Sequence, residues 1–274
     1  MTVRRRSMSG GRDGRMLLGV VHLRPLPSAC GHRSMGEVLD AAVADAEAYR
    51  RGGVDGLVVE NFGDAPFHRG NRADPVPPDV PAALALAAQV AHEATGLPLA
   101  INCLRNDGMA ALGVAAVVGA RWIRVNVLTG AYVTDQGLVE GEAARLFAYR
   151  KQLGSATEVL ADLRVKHASP LGTFDLVTAA KDLAERSGAA GLVLSGSRTG
   201  ESVAVRELDL VRAAVGRFPI WIGSGLTVDN AAELWPRCDG AFVGTSCKRG
   251  GAVGEPVDVA RVRALRRACR SQAR

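Results

Sequence analysis

A helical pattern runs directly into a short apolar strand in the stretch VLDAAVADAEAYRRGGVDGLVVE (38–60). Gly52 and Gly53 end the predicted helix, because glycine readily takes the left-handed conformation that closes a helix. The strand GLVVE (56–60) is apolar on both faces, which is typical of a parallel sheet covered on both sides. Because the apolar run LLGVVH (17–22) precedes this helix, the region predicts a β-α-β unit.

The same alternation continues along the chain. Eight apolar runs predict strands, and segments of helical composition separate them: LLGVVH (17–22), GLVVE (56–60), LAIN (99–102), WIRVN (122–126), VLADLRV (159–165), GLVLS (191–195), IWIGS (220–224) and GAFVG (240–244). Eight such units in 274 residues predict a single-domain α/β protein, a closed (β/α)8 TIM barrel. A doubly wound open sheet is the alternative, but no G-x-G-x-x-G motif follows the first strand, where that fold binds a dinucleotide.

Composition limits the class of protein. Hydrophobic residues make up 47% and charged residues 23%, which is typical of a soluble globular protein and excludes disorder of the whole chain. No apolar run reaches the roughly 18 residues of a membrane-spanning helix. Residues 1–15 lack the apolar segment of a secretory signal, so we expect a cytoplasmic protein. Five cysteines without a C-x-x-C pair favour free thiols over a zinc ribbon or a disulfide framework.

The net charge of +6 is concentrated at the two ends of the chain. Residues 1–15 contribute +4 and residues 261–274 contribute +6, so the body between them carries −4. We therefore expect a barrel over residues 16–260, with a flexible basic tail before it and a basic helix end or tail after it. A nucleic-acid interface would depend on these ends alone, and the acidic body argues against one. The helical exterior of a barrel also suits association into a homo-oligomer.

Polar side chains lie at the predicted carboxyl ends of the strands, the end at which barrels of this fold build their active sites. Side chains alternate with period two, so Asp162, Arg164 and Lys166 are expected on one face of the fifth strand. An ion pair between Glu60 and either Arg124 or Lys166, filling the barrel, is the structural alternative. The strand ends predict catalytic residues Glu60, Asp162, Lys166, His22 and His167, and substrate-binding residues Asn61, Asp64, Asn102, Arg105, Arg124, Asn126 and Ser195, with Ser197, Arg198 and Thr199 just beyond.

Glycine-rich segments follow the last two predicted strands, and the loops after strands seven and eight are the usual phosphate-binding place in this fold. Glycine lets backbone N–H groups approach an anion closely, and neighbouring hydroxyl groups would donate further hydrogen bonds. Tight turns are the alternative reason for these glycines. The two segments predict a phosphate site made by Gly223, Ser224, Gly225, Gly244, Thr245 and Ser246.

One connection is unusually long. The segment NFGDAPFHRGNRADPVPPDVP (61–81) contains five prolines and follows the second predicted strand. Structureless loops of this length inside a compact domain are usually functional or disordered. We expect an active-site lid at the carboxyl end of the barrel, with a passive surface loop as the alternative.

A phosphate site opposite a group of carboxylate, lysine and histidine side chains predicts an enzyme that acts on a phosphorylated small molecule, such as a sugar phosphate or a nucleotide-derived metabolite. Its reaction would be of the lyase, isomerase or hydrolase type. Glu60 or Asp162 would be the base. Lys166 would be an electrophile or a Schiff-base nucleophile, and His22 or His167 would carry the proton. The sequence requires no cofactor; a divalent metal held by His22, Glu60 and Asp162 is a further option, which no ligand spacing supports.

Several stretches of the chain resemble the BtpA/SgcQ family: GVVHLRPLP (19–27), GGVDGLVVENFGDAPF (52–67), INCLRND (101–107), WIRVNVLTGAYVTDQGLVEG (122–141), DLRVKHASPLG (162–172), LSGSRTG (194–200) and GSGLTVDNA (223–231). The resemblance covers about residues 16–256, and the ENFGDAPF and VKHA motifs are long and specific. It implies a barrel-like fold. The family motifs include ten of the strand-end residues: His22, Glu60, Asn61, Asp64, Asn102, Arg105, Asn126, Asp162, Lys166 and His167.

The functional implications of the resemblance are divided. One family member has a role in accumulating or stabilising photosystem I, and another is encoded among sugar phosphotransferase genes and carries a nucleotidase-type label. Members also occur in organisms without photosynthesis, so a photosystem role is not the shared activity. Besides the enzyme, the alternatives are a non-catalytic assembly or stability factor, which a large exposed apolar patch would favour, and a small-molecule-binding regulator. A regulator that binds nucleic acid would depend on the arginine-rich ends.

Overall fold

Eight parallel strands close into a barrel in the computed structural model, which describes residues 14–196 and 202–271. Around the barrel they follow chain order: β1 (Met16–His22), β2 (Gly56–Glu60), β3 (Leu99–Asn102), β4 (Trp122–Val125), β7 (Glu158–Asp162), β9 (Gly191–Leu194), β10 (Ile220–Ile222) and β11 (Gly240–Val243). A separate antiparallel sheet contains β5 (Ala131–Thr134), β6 (Gly137–Glu140) and β8 (Ala168–Pro170). The predicted barrel fold is confirmed.

Helices cover the outside of the barrel: α1 (Met35–Gly52), α2 (Asp79–Thr95), α3 (Gly108–Val118), α4 (Ala143–Gln152), α5 (Leu176–Arg186), α6 (Val205–Val215), α7 (Ala231–Leu234) and α8 (Val259–Arg270). Local sequence sets their ends. At the start of α1, the Ser34 hydroxyl accepts a hydrogen bond from the Glu37 N–H at 3.2 Å. Gly53 ends the helix with a φ of 91°, a conformation that costs glycine little. Within the described residues, no helix is both long and apolar enough to cross a membrane.

Two tryptophans and a phenylalanine pack together with aliphatic side chains in the lower half of the barrel interior. The ring of Trp221 lies 5.3 Å from that of Phe242 and 6.2 Å from that of Trp122. Gly240 leaves room for this packing, because a Cβ there would lie 2.5 Å from the Trp221 ring. The amino end of the barrel is therefore closed by packed side chains. In the part of the chain that the structure describes, the interior opens at the carboxyl ends of the strands, which we call the mouth.

The outer faces of the strands pack against the helices, as the contact between α1 and the barrel illustrates. Tyr49 lies fully buried against Gly19, where a Cβ would lie 2.4 Å from the tyrosine ring. Its single hydroxyl hydrogen is shared between two carbonyl acceptors, Val243 O at 3.0 Å and Val20 O at 3.2 Å. Tyr49 thus ties α1 to the first and last strands, where the barrel closes.

The sheet of β5, β6 and β8 was not predicted from the sequence. Its inner side packs around Val127, Tyr132, Val139 and Val165, forming a small second core beside the mouth. This packing also explains why the predicted strand 159–165 ends early, at Asp162. Arg164 does not continue the inner face of the barrel. It points outward and forms two hydrogen bonds with the Glu207 carboxylate, at 2.9 and 3.0 Å.

The ends of the chain are described only in part. Arg15, in the predicted N-terminal tail, donates a hydrogen bond to Cys238 O at 3.0 Å. Helix α8 continues across residue 260 and buries Val262, Leu265 and Cys269 against the barrel. The predicted tail residues 1–13 and 272–274 lie outside the described residues, as do Ser197, Arg198 and Thr199 after β9.

Candidate active site

A cavity of about 610 Å³ occupies the mouth of the barrel. Its walls contain most of the residues predicted from the strand ends and all six predicted phosphate-binding residues: His22, Glu60, Asn102, Arg105, Arg124, Asn126, Lys166, His167, Gly223, Ser224, Gly225, Gly244, Thr245 and Ser246. The remaining predicted residues are Asn61, Asp64, Asp162 and Ser195, which lie beside or beneath the cavity without lining it.

The Glu60 carboxylate is held by its neighbours in the sheet. The strand register aligns it with His22 on β1 and with Asn102 on β3. Asn102 Nδ2 donates to Glu60 Oε2 at 2.5 Å, and His22 Nε2 lies 3.7 Å from Glu60 Oε1. These contacts replace the predicted alternative of an ion pair with Arg124 or Lys166. Glu60 therefore presents an oriented carboxylate at the cavity wall.

His22 is neutral at ordinary pH. Burial is the main cause that lowers its pKa to about 3, and the positive charge of Lys248 lowers it further. The ring of Phe62 packs against the imidazole, with the ring centres 4.7 Å apart. With its pKa this low, the imidazole is a weak base near neutral pH, so His22 suits a neutral partner beside Glu60 better than the predicted proton carrier.

Arg124 forms a buried ion pair with Asp162 beneath the cavity. Arg124 Nε and Nη2 donate to the two Asp162 oxygens at 2.8 and 3.0 Å, and Asn126 Nδ2 also donates to Oδ2 at 3.0 Å. Burial alone would lower the pKa of Arg124, but the Asp162 carboxylate raises it, so the guanidinium stays charged. Both Asp162 oxygens are occupied, so this carboxylate orients Arg124 in the cavity wall. Asp162 itself does not line the cavity, as the predicted base would.

The predicted metal option finds little support in this arrangement. Of its three residues, His22 and Glu60 line the cavity, whereas the Asp162 oxygens are taken by Arg124 and Asn126. Among the described residues, no three His, Cys, Asp or Glu side chains are grouped as metal ligands.

Lys166 projects into the cavity from the turn that follows β7. Its backbone carbonyl accepts a hydrogen bond from Arg105 Nη2. Burial, and next the positive charge of Arg124, lower the pKa of Lys166 to about 8. The following residue, His167, is exposed and has a φ of 53°, which is uncommon outside glycine. The chain turns sharply here and carries the lysine away from the small second core.

The three remaining predicted substrate-binding residues support the loops and the floor of the mouth. Asn61 Nδ2 donates to Asp64 Oδ2 at 2.9 Å, while its Oδ1 accepts from Leu104 N at 2.7 Å. Asp64 Oδ1 accepts from Leu26 N at 2.8 Å, and burial raises the pKa of this carboxyl group. Ser195 is fully buried below the cavity. These contacts connect the loops after β1, β2 and β3.

The glycines of the predicted phosphate site have a packing role as well. A Cβ on Gly223 would lie 2.3 Å from Ser195 Oγ, and one on Gly244 would lie 2.8 Å from His22 Cε1. Gly225 has a φ of 76°, so a turn accounts for that glycine. Thr245 begins a short 3-10 turn, whose first N–H groups find no partner within the turn. Both the turn and the anion explanations for the glycines fit this geometry.

The Ser246 hydroxyl has a different role from the one predicted. It donates a hydrogen bond to Leu226 O at 2.8 Å and so joins the loops after β10 and β11. Its hydrogen is therefore engaged within the protein. Arg261, in the first turn of α8, donates to Ser246 O at 3.3 Å and lines the same side of the cavity. This side thus contains a cation that was not predicted from the sequence.

Several cavity residues were missed. Phe62 and Phe67 come from the long segment 61–81, of which only Asn61 and Asp64 were predicted as site residues. The closing motion of this segment stays a prediction. Asp135 lies in the turn between β5 and β6, and the T-D-Q-G sequence (134–137) is the only local signal for that hairpin. Arg261 follows the phosphate loops in sequence and begins a helix, which is the signal that would have found it.

The family assignment follows from a match over nearly the whole chain. Residues 13–271 match the model of the BtpA family. The chain belongs to the BtpA family. Among its relatives, the photosystem I biogenesis protein BtpA of Synechocystis is 45% identical over 250 residues, covering 91% of this chain and 86% of that protein. An uncharacterized protein of Pyrococcus furiosus is 40% identical, with 91% of this chain and 92% of that protein covered. The predicted resemblance is confirmed.

Solved structures of other barrels resemble this BtpA-family chain. Thiamine phosphate pyrophosphorylase from Pyrococcus furiosus matches with a TM-score of 0.58 and 14% identity, covering 95% of this chain and 98% of that one. N-(5'-phosphoribosyl)anthranilate isomerase from the same organism matches with a TM-score of 0.57 and 14% identity, covering 94% and 99%. At this level of identity the likeness shows a shared fold.

Proposed function

We propose that this BtpA-family barrel is an enzyme that acts on a phosphorylated small molecule, a sugar phosphate or a nucleotide-derived metabolite, by acid/base chemistry at the mouth. One observation carries the proposal. A single cavity has the glycine segments after β10 and β11, with Arg261, on one side, and Glu60, His22 and Lys166 elsewhere in its wall. Its volume of about 610 Å³ is in the usual range for small-molecule sites.

The phosphate would bind between the two glycine segments. Backbone N–H groups of the Thr245 turn and the Arg261 guanidinium would share the negative charge, which a planar guanidinium suits well. Ser224 and Thr245 lie in the same wall and carry hydroxyl groups. The Ser246 hydroxyl, engaged with Leu226 O, would keep the two loops together.

The reacting end of the substrate would face Glu60. This carboxylate is aligned by Asn102 and has a neutral imidazole 3.7 Å away, so it suits removal of a proton from carbon beside a carbonyl group. The Arg105 guanidinium lines the same cavity and would stabilise negative charge that develops on the substrate, and Lys166 in the same wall would be an electrophile or a Schiff-base nucleophile. Arg124, held by Asp162, adds a fixed positive charge in the cavity wall.

The names of two barrels with this fold are consistent with the proposal. Thiamine phosphate pyrophosphorylase and N-(5'-phosphoribosyl)anthranilate isomerase are both named for phosphorylated compounds. Their support is limited to the fold, which places loops after the last two strands beside the mouth. A cytoplasmic location and a homo-oligomer stay predictions.

Arg261 provides the test. The purified protein would be screened by thermal shift with phosphate, sugar phosphates and nucleotides, since a ligand at a hundredfold excess over its Kd stabilises the folded state by about 2.7 kcal/mol. We expect a phosphorylated subset to raise the Tm, and Arg261→Gln to remove that shift. Arg267→Gln is the matched control, because Arg267 is an exposed arginine on the same helix. The absence of any shift in folded wild-type protein, or an unchanged shift in Arg261→Gln, would contradict the proposed site.

An assembly or stability factor is the second candidate function. Val133, Leu138 and Leu171 are 50%, 41% and 63% exposed, and all three belong to or directly follow the sheet of β5, β6 and β8. Val133 and Leu138 are register partners, so their side chains share one face of this sheet. Exposed apolar residues grouped in this way suit a protein partner. One relative is named for photosystem I biogenesis. Together with that name, the exposed apolar residues favour an assembly or stability factor if no phosphorylated compound binds.

A further inference from the structure

Lysine is rare in this chain, and one of its few lysines lies in the mouth. Of the 34 lysines and arginines, four are lysines: Lys151, Lys166, Lys181 and Lys248. Lys151 and Lys181 are exposed on helices, and Lys248 is buried in an ion pair with Asp45, at 3.4 Å. Arginine stays protonated in proteins, whereas the lysine amine becomes a nucleophile once it loses its proton. Of the two residue types, only lysine provides a nucleophilic amine at position 166.

The backbone holds Lys166 in place. Val165, the preceding residue, is buried in the small second core, and Arg105 binds the Lys166 carbonyl. The side chains of these two consecutive residues point in different directions: Val165 packs into the second core, and Lys166 lies in the cavity wall. Among the residues the structure describes, no carboxylate forms an ion pair with this amine. The amine is therefore accessible to a molecule in the mouth.

The surroundings of the amine favour its neutral form. Burial, and then the cations Arg124 and Arg105, act against the charge, while the carboxylates Asp162 and Glu60 act the other way. The balance brings the pKa of Lys166 to about 8. At pH 7 the Lys166 amine is then deprotonated in about a tenth of the molecules, a far larger fraction than for a solvent-exposed lysine. Desolvation and neighbouring cations are established ways to activate a lysine nucleophile.

We propose that Lys166 forms an imine with the carbonyl carbon of a phosphorylated aldehyde or ketone bound in the mouth. This inference rests on the proposed function and narrows its substrate class to carbonyl compounds. The neutral amine adds to the carbonyl carbon, and after proton transfers the carbonyl oxygen leaves as water, giving a protonated imine. Glu60 then takes a proton from the adjacent carbon. The C–H electron pair forms a C=C bond, and the C=N pair moves to nitrogen.

Reductive trapping tests the imine directly. Wild-type protein would be incubated with dihydroxyacetone phosphate or glyceraldehyde 3-phosphate and sodium cyanoborohydride, followed by intact mass spectrometry and peptide mapping. Reduction of the imine adds the mass of the compound less one oxygen atom. Peptide mapping distinguishes the four lysines from one another and from the N-terminal amine, whose ordinary pKa is also about 8. We expect one adduct at Lys166, formed with a pH midpoint near 8 and more readily than with unphosphorylated dihydroxyacetone.

Matched variants separate this inference from the proposed function. Lys166→Met and Lys166→Arg should lose the adduct, whereas Lys181→Arg, altered at an exposed lysine, should keep it. Thermal unfolding of each variant checks its fold, and two replacements of Lys166 guard against one that fails to fold. The same compounds could stabilise the protein while Lys166 is labelled no more than Lys151 and Lys181. That result would contradict the imine but would still support the phosphate site. If the compounds neither stabilise the protein nor form an adduct, both the imine and the proposed phosphate site are contradicted.

Discussion

The buried pair of Arg124 and Asp162 offers a quantitative test of the site. Arg124→Met keeps the apolar stem but removes the guanidinium, leaving Asp162 buried with only Asn126 as a hydrogen-bond donor among the contacts described. Removing one partner of a buried ion pair costs about 3–5 kcal/mol, because the other charge is left uncompensated. The substitution also removes the guanidinium that lies 5.1 Å from the centre of the Phe242 ring. We expect a loss at the upper end of that range.

An exposed pair of the same chemistry is the control. Arg237 Nε lies 2.9 Å from Asp209 Oδ1, almost the 2.8 Å that separates Arg124 Nε from Asp162 Oδ1. The side chains of the exposed pair are 38% and 56% accessible, compared with 6% and 1% for the buried pair. Water screens an exposed pair, so Arg237→Met should cost only about 0.2–1 kcal/mol.

Urea denaturation at neutral pH measures both losses. The double variant Arg124→Met with Asp162→Asn should recover most of the loss, because the stranded charge is gone and an amide still accepts from Asn126. Equal losses in Arg124→Met and Arg237→Met, or no recovery in the double variant, would refute the reasoning. The floor of the mouth would then be wetter than its burial indicates.

Two further predictions concern Glu60 and His22. Glu60→Gln keeps the side-chain shape and the hydrogen bond with Asn102, so thermal stability should be nearly unchanged. Deuterium exchange into a bound phosphorylated carbonyl compound should be lost. Unfolding of this variant would instead indicate a structural role for Glu60. The pKa of His22 falls from 6.5 to about 3 in the folded chain, so the unfolded chain binds the extra proton between these values. The stability from this group is complete above about pH 6.5 and is lost as the pH falls, by up to about 1.4 kcal/mol per unit. Urea unfolding from pH 7 to pH 5 should show a shallower decline in His22→Gln, and equal slopes would mean that His22 is protonated in the fold.

Local patterns were sufficient for the barrel itself. Apolar residues on both faces of GLVVE (56–60) and LAIN (99–102) predict strands whose bounds agree with β2 and β3. Glycines such as Gly53 and Gly96 mark the ends of α1 and α2. These signals are local because backbone conformation depends on each residue and its immediate neighbours. The sheet of β5, β6 and β8 was missed because its strands are only three or four residues long and β8 is distant in sequence.

The sequence by itself determined that polar groups gather at the mouth, because the carboxyl ends of parallel strands share one rim. Only the tertiary structure decided how those groups pair. Glu60 is aligned with His22 and Asn102, whereas Arg124 lies two strands away, roughly 10 Å along the sheet, so it pairs with Asp162 on its other side. Arg261 reaches the cavity from a helix, and Arg164 leaves the barrel for Glu207. Periodicity sets the face on which a side chain lies, but the distance between charges depends on strand register and barrel closure.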